Sequence, residues 1–243
     1  MSHRILISER LRRFVRRLKK DDDVGRFIDA LNGRGEAYLF GGAPRDVAFG
    51  VGRRIHDLDI FVSGSIDADE ISRHSTSLSA TNFGGLRLIV GKFEVDAWEL
   101  DKSYAFRMGS SAHISARALL GTVCFSTDGV AVSLKTGRSI IAPEFVNSLS
   151  DRRLDFVVPP SKVEAVVGAR IARLALKLGL ELTPAVANYF MQCVEGMGVS
   201  SLIDAEARWG RHRMLNEIVM EQVRSDLENV VSKARESVFG VAN

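Results

Sequence analysis

Cysteine is nearly missing from this 243-residue chain: Cys124 and Cys193 lie far apart, outside any CxxC or Cys/His ligand spacing. That argues against a disulfide framework and a cysteine-based zinc site, and it fits a reducing compartment. No apolar run approaches the roughly 18 residues that a membrane-spanning helix requires. The N-terminal stretch lacks the apolar segment of a secretory signal. A cytoplasmic protein with no membrane partner is the expectation. Internal repeats and low-complexity tracts are also missing. The five histidines are scattered and form no Ser/His/Asp or Cys/His nucleophilic arrangement. His56 alone abuts a candidate catalytic residue, and a structural role at a strand end suits it equally well.

What is present is enough to fold. The chain is 46% hydrophobic and 26% charged, so it buries a core and is no disordered polymer. Its net charge of +3 is unevenly placed. Residues 1–20 carry Arg4, Arg10, Arg12, Arg13, Arg16, Arg17, Lys19 and Lys20 against Glu9 alone, with Leu11, Phe14, Val15 and Leu18 at helical spacing. This predicts an amphipathic basic helix. Three roles fit it: a solvated face on the domain, a nucleic-acid contact through Arg12, Arg13, Arg16 and Arg17, or a membrane-surface helix.

The chain reads as three regions: a basic helical region over 1–35, a mixed head over 36–158, and a helical remainder over 159–243 set off by Pro159-Pro160. In the head, strands are predicted over 36–40, 56–62, 86–90 and 93–98, the last two joined by a tight Gly91-Lys92 turn. Helices are predicted over 24–31, from Pro44 to about 48, over 67–74 and over 110–120. A further strand pair is predicted over 122–125 and 130–134, turned by Asp128-Gly129. The remainder predicts helices over 163–178, 184–194, 201–208 and 214–238. The fold class is therefore α+β, a mixed sheet with flanking helices followed by a small all-helical domain.

The chemistry concentrates in Tyr38-Leu39-Phe40-Gly41-Gly42-Ala43-Pro44-Arg45-Asp46 and, eleven residues on, Asp57-Leu58-Asp59-Ile60-Phe61-Val62. Strand side chains alternate, so Asp57 and Asp59 share a face. Adjacent carboxylates repel unless a cation lies between them. Mg²⁺ suits that position because it takes one or two carboxylates and keeps sites for phosphate oxygens. The Gly41-Gly42 turn lets backbone approach a phosphate, the following helix directs free N–H groups at it, and Arg45 adds a charged contact. A third carboxylate would complete a two-metal site. Glu94 and Asp96 share a face of the next apolar strand, and Asp96, deeper in the apolar run, is the better candidate.

GGAPRD followed by HDLDIFV resembles motif A of the DNA polymerase beta-type nucleotidyltransferases, and more narrowly the head of tRNA CCA-adding enzymes and poly(A) polymerases. The stretch Phe125 to Leu134 with Gly137 is similar to the family's second head segment. Arg170, Arg173, Ala175, Lys177, Leu178 and Gly179 resemble its neck helix. The resemblance implies metal binding and catalysis by Asp57 and Asp59, with Asp96 as the proposed third ligand. It implies nucleotide contact for Gly41, Gly42 and Arg45, extended to Asp46, Arg170 and Arg173. Two departures stand out. Thr122-Val123-Cys124 replaces the family's ribose-recognising arginine–aspartate pair, and Val163 to Val167 lacks the base-reading arginine of the neck. They separate the chain from CCA addition as such.

The expected activity is Mg²⁺-dependent transfer of an NMP from an NTP to a hydroxyl, with release of pyrophosphate. An RNA 3′ end like that of tRNA is the expected acceptor. The alternatives are a toxin-like enzyme acting on a protein or small molecule, and a catalytically silent nucleotide- or RNA-binding module.

Overall fold

A computed structural model describes residues 3–52, 55–81, 84–109, 113–209 and 213–225. The chain forms two compact units, Met1–Ser150 and Asp151–Asn243. The first opens with α1 (His3–Leu18) and α2 (Asp22–Leu31). There follow β1 (Ala37–Phe40), α3 (Gly42–Phe49), β2 (Asp57–Val62), α4 (Ala68–Ser72), β3 (Ser77–Ala80), β4 (Leu86–Val90) and β5 (Phe93–Glu99). Then come α5 (Tyr104–Arg107), α6 (Ala116–Leu120), β6 (Val130–Ser133), β7 (Ser139–Ile141) and α7 (Pro143–Asp151). The seven strands form one mixed sheet in the order β3-β4-β5-β2-β1-β6-β7. Only β2 and β5 run parallel; every other neighbouring pair is antiparallel.

Strand alternation gives the sheet two different faces. Leu39, Leu58, Ile60, Val62, Val95 and Ala97 turn one way and are buried with apolar residues of α1, α2 and α3. The stripe Ile7, Leu11, Phe14, Val15 and Leu18 thus packs α1 onto its own domain and leaves its arginines toward water. Asp21 caps α2 by accepting the Val24 N–H at 3.3 Å. The opposite face carries Asp57, Asp59 and Phe61 on β2 and, in register, Glu94, Asp96 and Trp98 on β5. Tyr38, Phe40, Phe61 and Trp98 gather there; the Tyr38 and Phe61 rings stack at 5.1 Å. They pack with Leu100, Phe106, Leu119 and Leu120 in a smaller second core.

The structure departs from the sequence expectation around β6. Residues 122–125 form no strand paired with 130–134. Instead Ser126–Asp128 makes a 3-10 turn, and β6 lies between β1 and β7. All four residues of β6 are buried, as expected of a strand paired on both sides. Strands β3 and β7 and helix α7 carry weak local signals and were not anticipated. Pro44 is the third residue of α3 rather than its first. The helix expected over 110–120 begins at Ala116, and residues 110–112 lie outside the described region.

The second unit contains β8 (Arg153–Leu154), α8 (Ala165–Leu178), β9 (Glu181–Leu182), α9 (Pro184–Met197) and α10 (Val199–Trp209). The short parallel β8–β9 ribbon is an addition to the expected all-helical domain. Gly168 lets α8 and α9 meet closely: a Cβ there would stand 2.9 Å from the Cys193 Cβ. Gly179 ends α8 in the left-handed region at φ 62°. Residues 217–225 are helical, and the rest of the helix expected over 214–238 lies outside the described region. No helix among the described residues is long and apolar enough to cross a membrane.

Candidate active site

The turn after β1 is shaped around a carboxylate. Gly41 adopts φ 71° and ψ −133°, a region essentially closed to side-chain-bearing residues. A Cβ on Gly41 would stand 2.8 Å from Asp59 Oδ2, so the side chain of β2 occupies the space that glycine vacates. The Gly42 N–H donates to the Asp59 carboxylate. Helix α3 has no side-chain cap from its own first residues. Asp59 therefore supplies from a neighbouring strand the acceptor that an N-cap usually supplies locally. Both glycines of the expected phosphate turn are thus engaged with Asp59.

The carboxylates align across the sheet. Asp59 lies beside Asp96 on β5 and beside Phe40 on β1, while Asp57 lies beside Glu94. Asp59 is partly buried and Asp57 is exposed. Burial, then the charge of Asp96, then that of Asp57, push the Asp59 pKa up to about 6, against weaker opposition from the Gly42 N–H and Arg45. Asp96 is thus the charged neighbour that Asp59 feels most.

Arg87 completes the row from β4. It stands opposite Asp96 and donates from Nε and Nη2 to the two carboxylate oxygens, each at 2.7 Å. The pair holds the guanidinium far above its ordinary pKa. Sequence reading missed Arg87. The signal was there in the alternating Leu86-Arg87-Leu88, but placing it requires the β4–β5 register. Among the described residues no group of three His, Cys, Asp or Glu side chains stands ready to hold a metal ion. Arg87 occupies both oxygens of Asp96. Asp57 and Asp59 still fit a hard divalent cation: they offer oxygen donors only, and the Asp59 pKa, raised by burial first and then by Asp96 and Asp57, marks a carboxylate whose ionised form a cation would favour.

Arg45 is placed differently from the expected phosphate contact. Its Nε donates to Asp46 at 3.0 Å and its Nη1 to Asp128 at 2.8 Å, with all three side chains nearly buried. The two carboxylates raise its pKa against the cost of burial. The network ties α3 to the turn before β6 and so holds the Gly41-Gly42 turn against the sheet. Asp128 was read as a turn residue only. Asp128→Ala is expected to destabilise the protein by about 3–5 kcal/mol, since it leaves a buried guanidinium short of a partner. Urea unfolding measures this, and a change under ~1 kcal/mol would contradict the structural role.

The remaining candidates divide. The His56 carbonyl accepts the Glu94 N–H at 2.9 Å, and its side chain is exposed. Arg170 and Arg173 lie on α8 in the second unit. Arg173 bonds the buried Glu206 at 2.8 Å, and Glu206 also accepts the Met214 and Leu215 N–H groups.

No protein-family model matches the chain, and no curated protein sequence matches it. Solved structures do. A CCA-adding enzyme in complex with CTP superposes with a TM-score of 0.61 at 18% identity, over 95% of this chain and 55% of that one. The Thermotoga maritima CCA-adding enzyme bound to tRNA gives 0.60 at 17% identity, over 94% and 54%. A tRNA nucleotidyltransferase with a primer tRNA and an ATP analogue gives 0.55 at 21%, over 84% and 59%. The chain spans about half the length of these structures. It shares their α+β nucleotidyltransferase fold, as the GGAPRD and DLD motifs lead one to expect.

Proposed function

We propose that the protein is a metal-dependent nucleotidyltransferase that moves an NMP from an NTP to the 3′ hydroxyl of an RNA. One observation carries this reading: Asp59 and Asp96 lie side by side under the Gly41 turn, in a fold shared with tRNA nucleotidyltransferases. Asp57 and Asp59 would hold Mg²⁺, with Asp96 as a further ligand once it leaves Arg87. The ion would supply charge neutralisation for the triphosphate. The acceptor oxygen attacks the α-phosphorus, a P–O bond forms, and the bond to pyrophosphate breaks. An Asp96 carboxylate oxygen takes the acceptor proton. Arg45 and Asp128 keep the turn in place, and the Phe40, Phe61 and Trp98 cluster walls the site beneath the carboxylates.

Incubation with each α-labelled NTP, Mg²⁺ and total cellular RNA or protein is expected to label RNA. Labelling of protein alone would move the acceptor assignment to the toxin-like reading. Absence of any labelled product would sink the enzymatic one.

The Arg87–Asp96 pair favours a second reading, a silent module that binds nucleotide without turnover. Calorimetry separates the two: NTP binding without pyrophosphate release supports the silent module. If Arg87 competes with a cation for Asp96, Arg87→Ala should tighten Mn²⁺ binding about tenfold, a gain of roughly 1.4 kcal/mol. Electron paramagnetic resonance titration reads that affinity without turnover, and an unchanged value would remove Arg87 from the metal equilibrium.

A further inference from the structure

Helix α1 bears a feature that nucleotidyl transfer at the carboxylates does not use. Arg10, Arg13, Arg16, Arg17 and Lys20 line a groove of about 820 Å³ floored by Val47, Gly50 and Gly52 at the end of α3. Arg10 is pinned there by donating from Nη1 to the Ala48 carbonyl at 2.6 Å. Arg13 pairs with Glu9 at 3.0 Å in an exposed contact that carries little energy. Arg17 lies over the Phe14 ring. Among the described residues no acidic side chain pairs with Arg16, Arg17 or Lys20.

Arg10, Arg13 and Arg17 are spaced at three and four residues and so follow one side of α1 for roughly 10 Å, and Lys20, in the turn just past the end of α1, also lines the groove. The groove lies on the helix-covered side of the sheet, because the apolar stripe of α1 belongs to the same buried core as Leu39, Leu58 and Ile60 while the carboxylates occupy the other face. A triphosphate reacting at Asp59 cannot occupy it.

We infer that this groove binds the phosphodiester backbone of an RNA, as an anchor separate from the carboxylate face. A line of cations matches a repeating anion in length and charge better than it matches one nucleotide. Arginine also suits phosphate through its forked donors. Among the described residues the lining offers no aromatic or amide side chain to read a base, so binding is independent of sequence. A membrane surface is disfavoured because interfacial helices insert their apolar face, and here Ile7, Leu11, Phe14, Val15 and Leu18 are buried in the core. Against the sequence expectation, Arg10 and Lys20 join the site, and Arg12, packed beside Gly137, does not line it. The inference rests on the groove's own charge and stands whether or not the carboxylates are catalytic.

Fluorescence anisotropy of a labelled oligouridylate, with the full chain and no NTP or metal, tests it. The variant Arg13→Glu, Arg16→Glu, Arg17→Glu is expected to weaken binding at least tenfold. It should also lower the slope of log affinity against log salt by about 2, the share of roughly three single-strand phosphate contacts. The charge-matched control Arg73→Glu, Lys92→Glu, Arg153→Glu should keep most of the affinity. Arg16→Gln with Lys20→Gln is the milder variant should the triple reversal fail to fold, and a threefold loss is expected from it. Equal losses from the reversal and the control, or no loss from the groove variants, would overturn the site. So would sedimentation with phosphatidylserine vesicles in the absence of RNA binding.

Discussion

Asp59→Asn is expected to abolish NMP transfer and, in metal-free buffer at neutral pH, to stabilise the fold. The two effects share one cause. Burial beside Asp96 and Asp57 raises the Asp59 pKa to about 6 from a reference of 3.8. The folded state therefore favours the protonated acid. Stability is fully present below the unfolded value near 3.8 and is lost as pH rises through about 6. Above that window the ionised carboxylate costs about 2–3 kcal/mol, the equivalent of roughly two pH units with some allowance for solvent access. Asparagine keeps an acceptor for the Gly42 N–H and carries no charge. At pH 8 in EDTA the variant should melt roughly 5 °C higher than the parent, and at pH 4 the two should coincide. Mg²⁺ should raise the melting temperature of the parent and leave the variant unmoved. Pyrophosphate release should fall by at least ~1,000-fold, since the residue acts where charge develops. A variant that melts lower than the parent at pH 8 would contradict the crowded-carboxylate account. Stability given up at a functional group in this way is a recurrent cost of active sites.

The parts of the fold written in short-range chemistry were legible in the sequence. Gly41-Gly42 breaks β1 because only glycine takes that backbone, and period-two alternation puts Asp57 and Asp59 on one face. Asp21 announces the start of α2, and Gly91-Lys92 announces the β4–β5 turn. What escaped depends on register between strands distant in sequence. Arg87 meets Asp96 because β4 and β5 pair in one alignment. Depth in the apolar run favours Asp96 over Glu94 from sequence, but its place beside Asp59 comes from the parallel β2–β5 register. Arg45 looked free for phosphate because nothing local reveals that Asp128, 83 residues on, accepts from it. The segment 122–134 misled for a related reason. Its apolar residues satisfy both a hairpin and a single central strand, and the choice belongs to β1 and β7, which pair with the two edges of β6.

Gly41→Ala tests how closely turn and carboxylate depend on each other. At φ 71° and ψ −133° an alanine is strained by about 1–3 kcal/mol before any contact is counted. Its Cβ also meets Asp59 Oδ2 at 2.8 Å, with the carboxyl carbon at 3.5 Å, so Asp59 must rotate or the turn must open. Either movement breaks the Gly42 N–H bond and takes Asp59 out of its row with Asp96. The expected result is a loss of roughly 3 kcal/mol in stability and of at least ~100-fold in kcat, since a shift of about 1 Å in a positioning group carries that penalty. Gly42→Ala is the matched comparison. Among the described residues its Cβ would meet Arg45 Nη2 at 3.4 Å, an ordinary van der Waals distance. A stability change within ~1 kcal/mol is expected there, in the range of an ordinary glycine substitution in a first helical turn. A double-mutant cycle isolates the contact. Asp59→Ala removes the oxygen that the new methyl group meets, so Gly41→Ala should cost about 1 kcal/mol less in that background, leaving only backbone strain. Full additivity would mean that Gly41 serves the turn alone and that Asp59 is held in place by other groups.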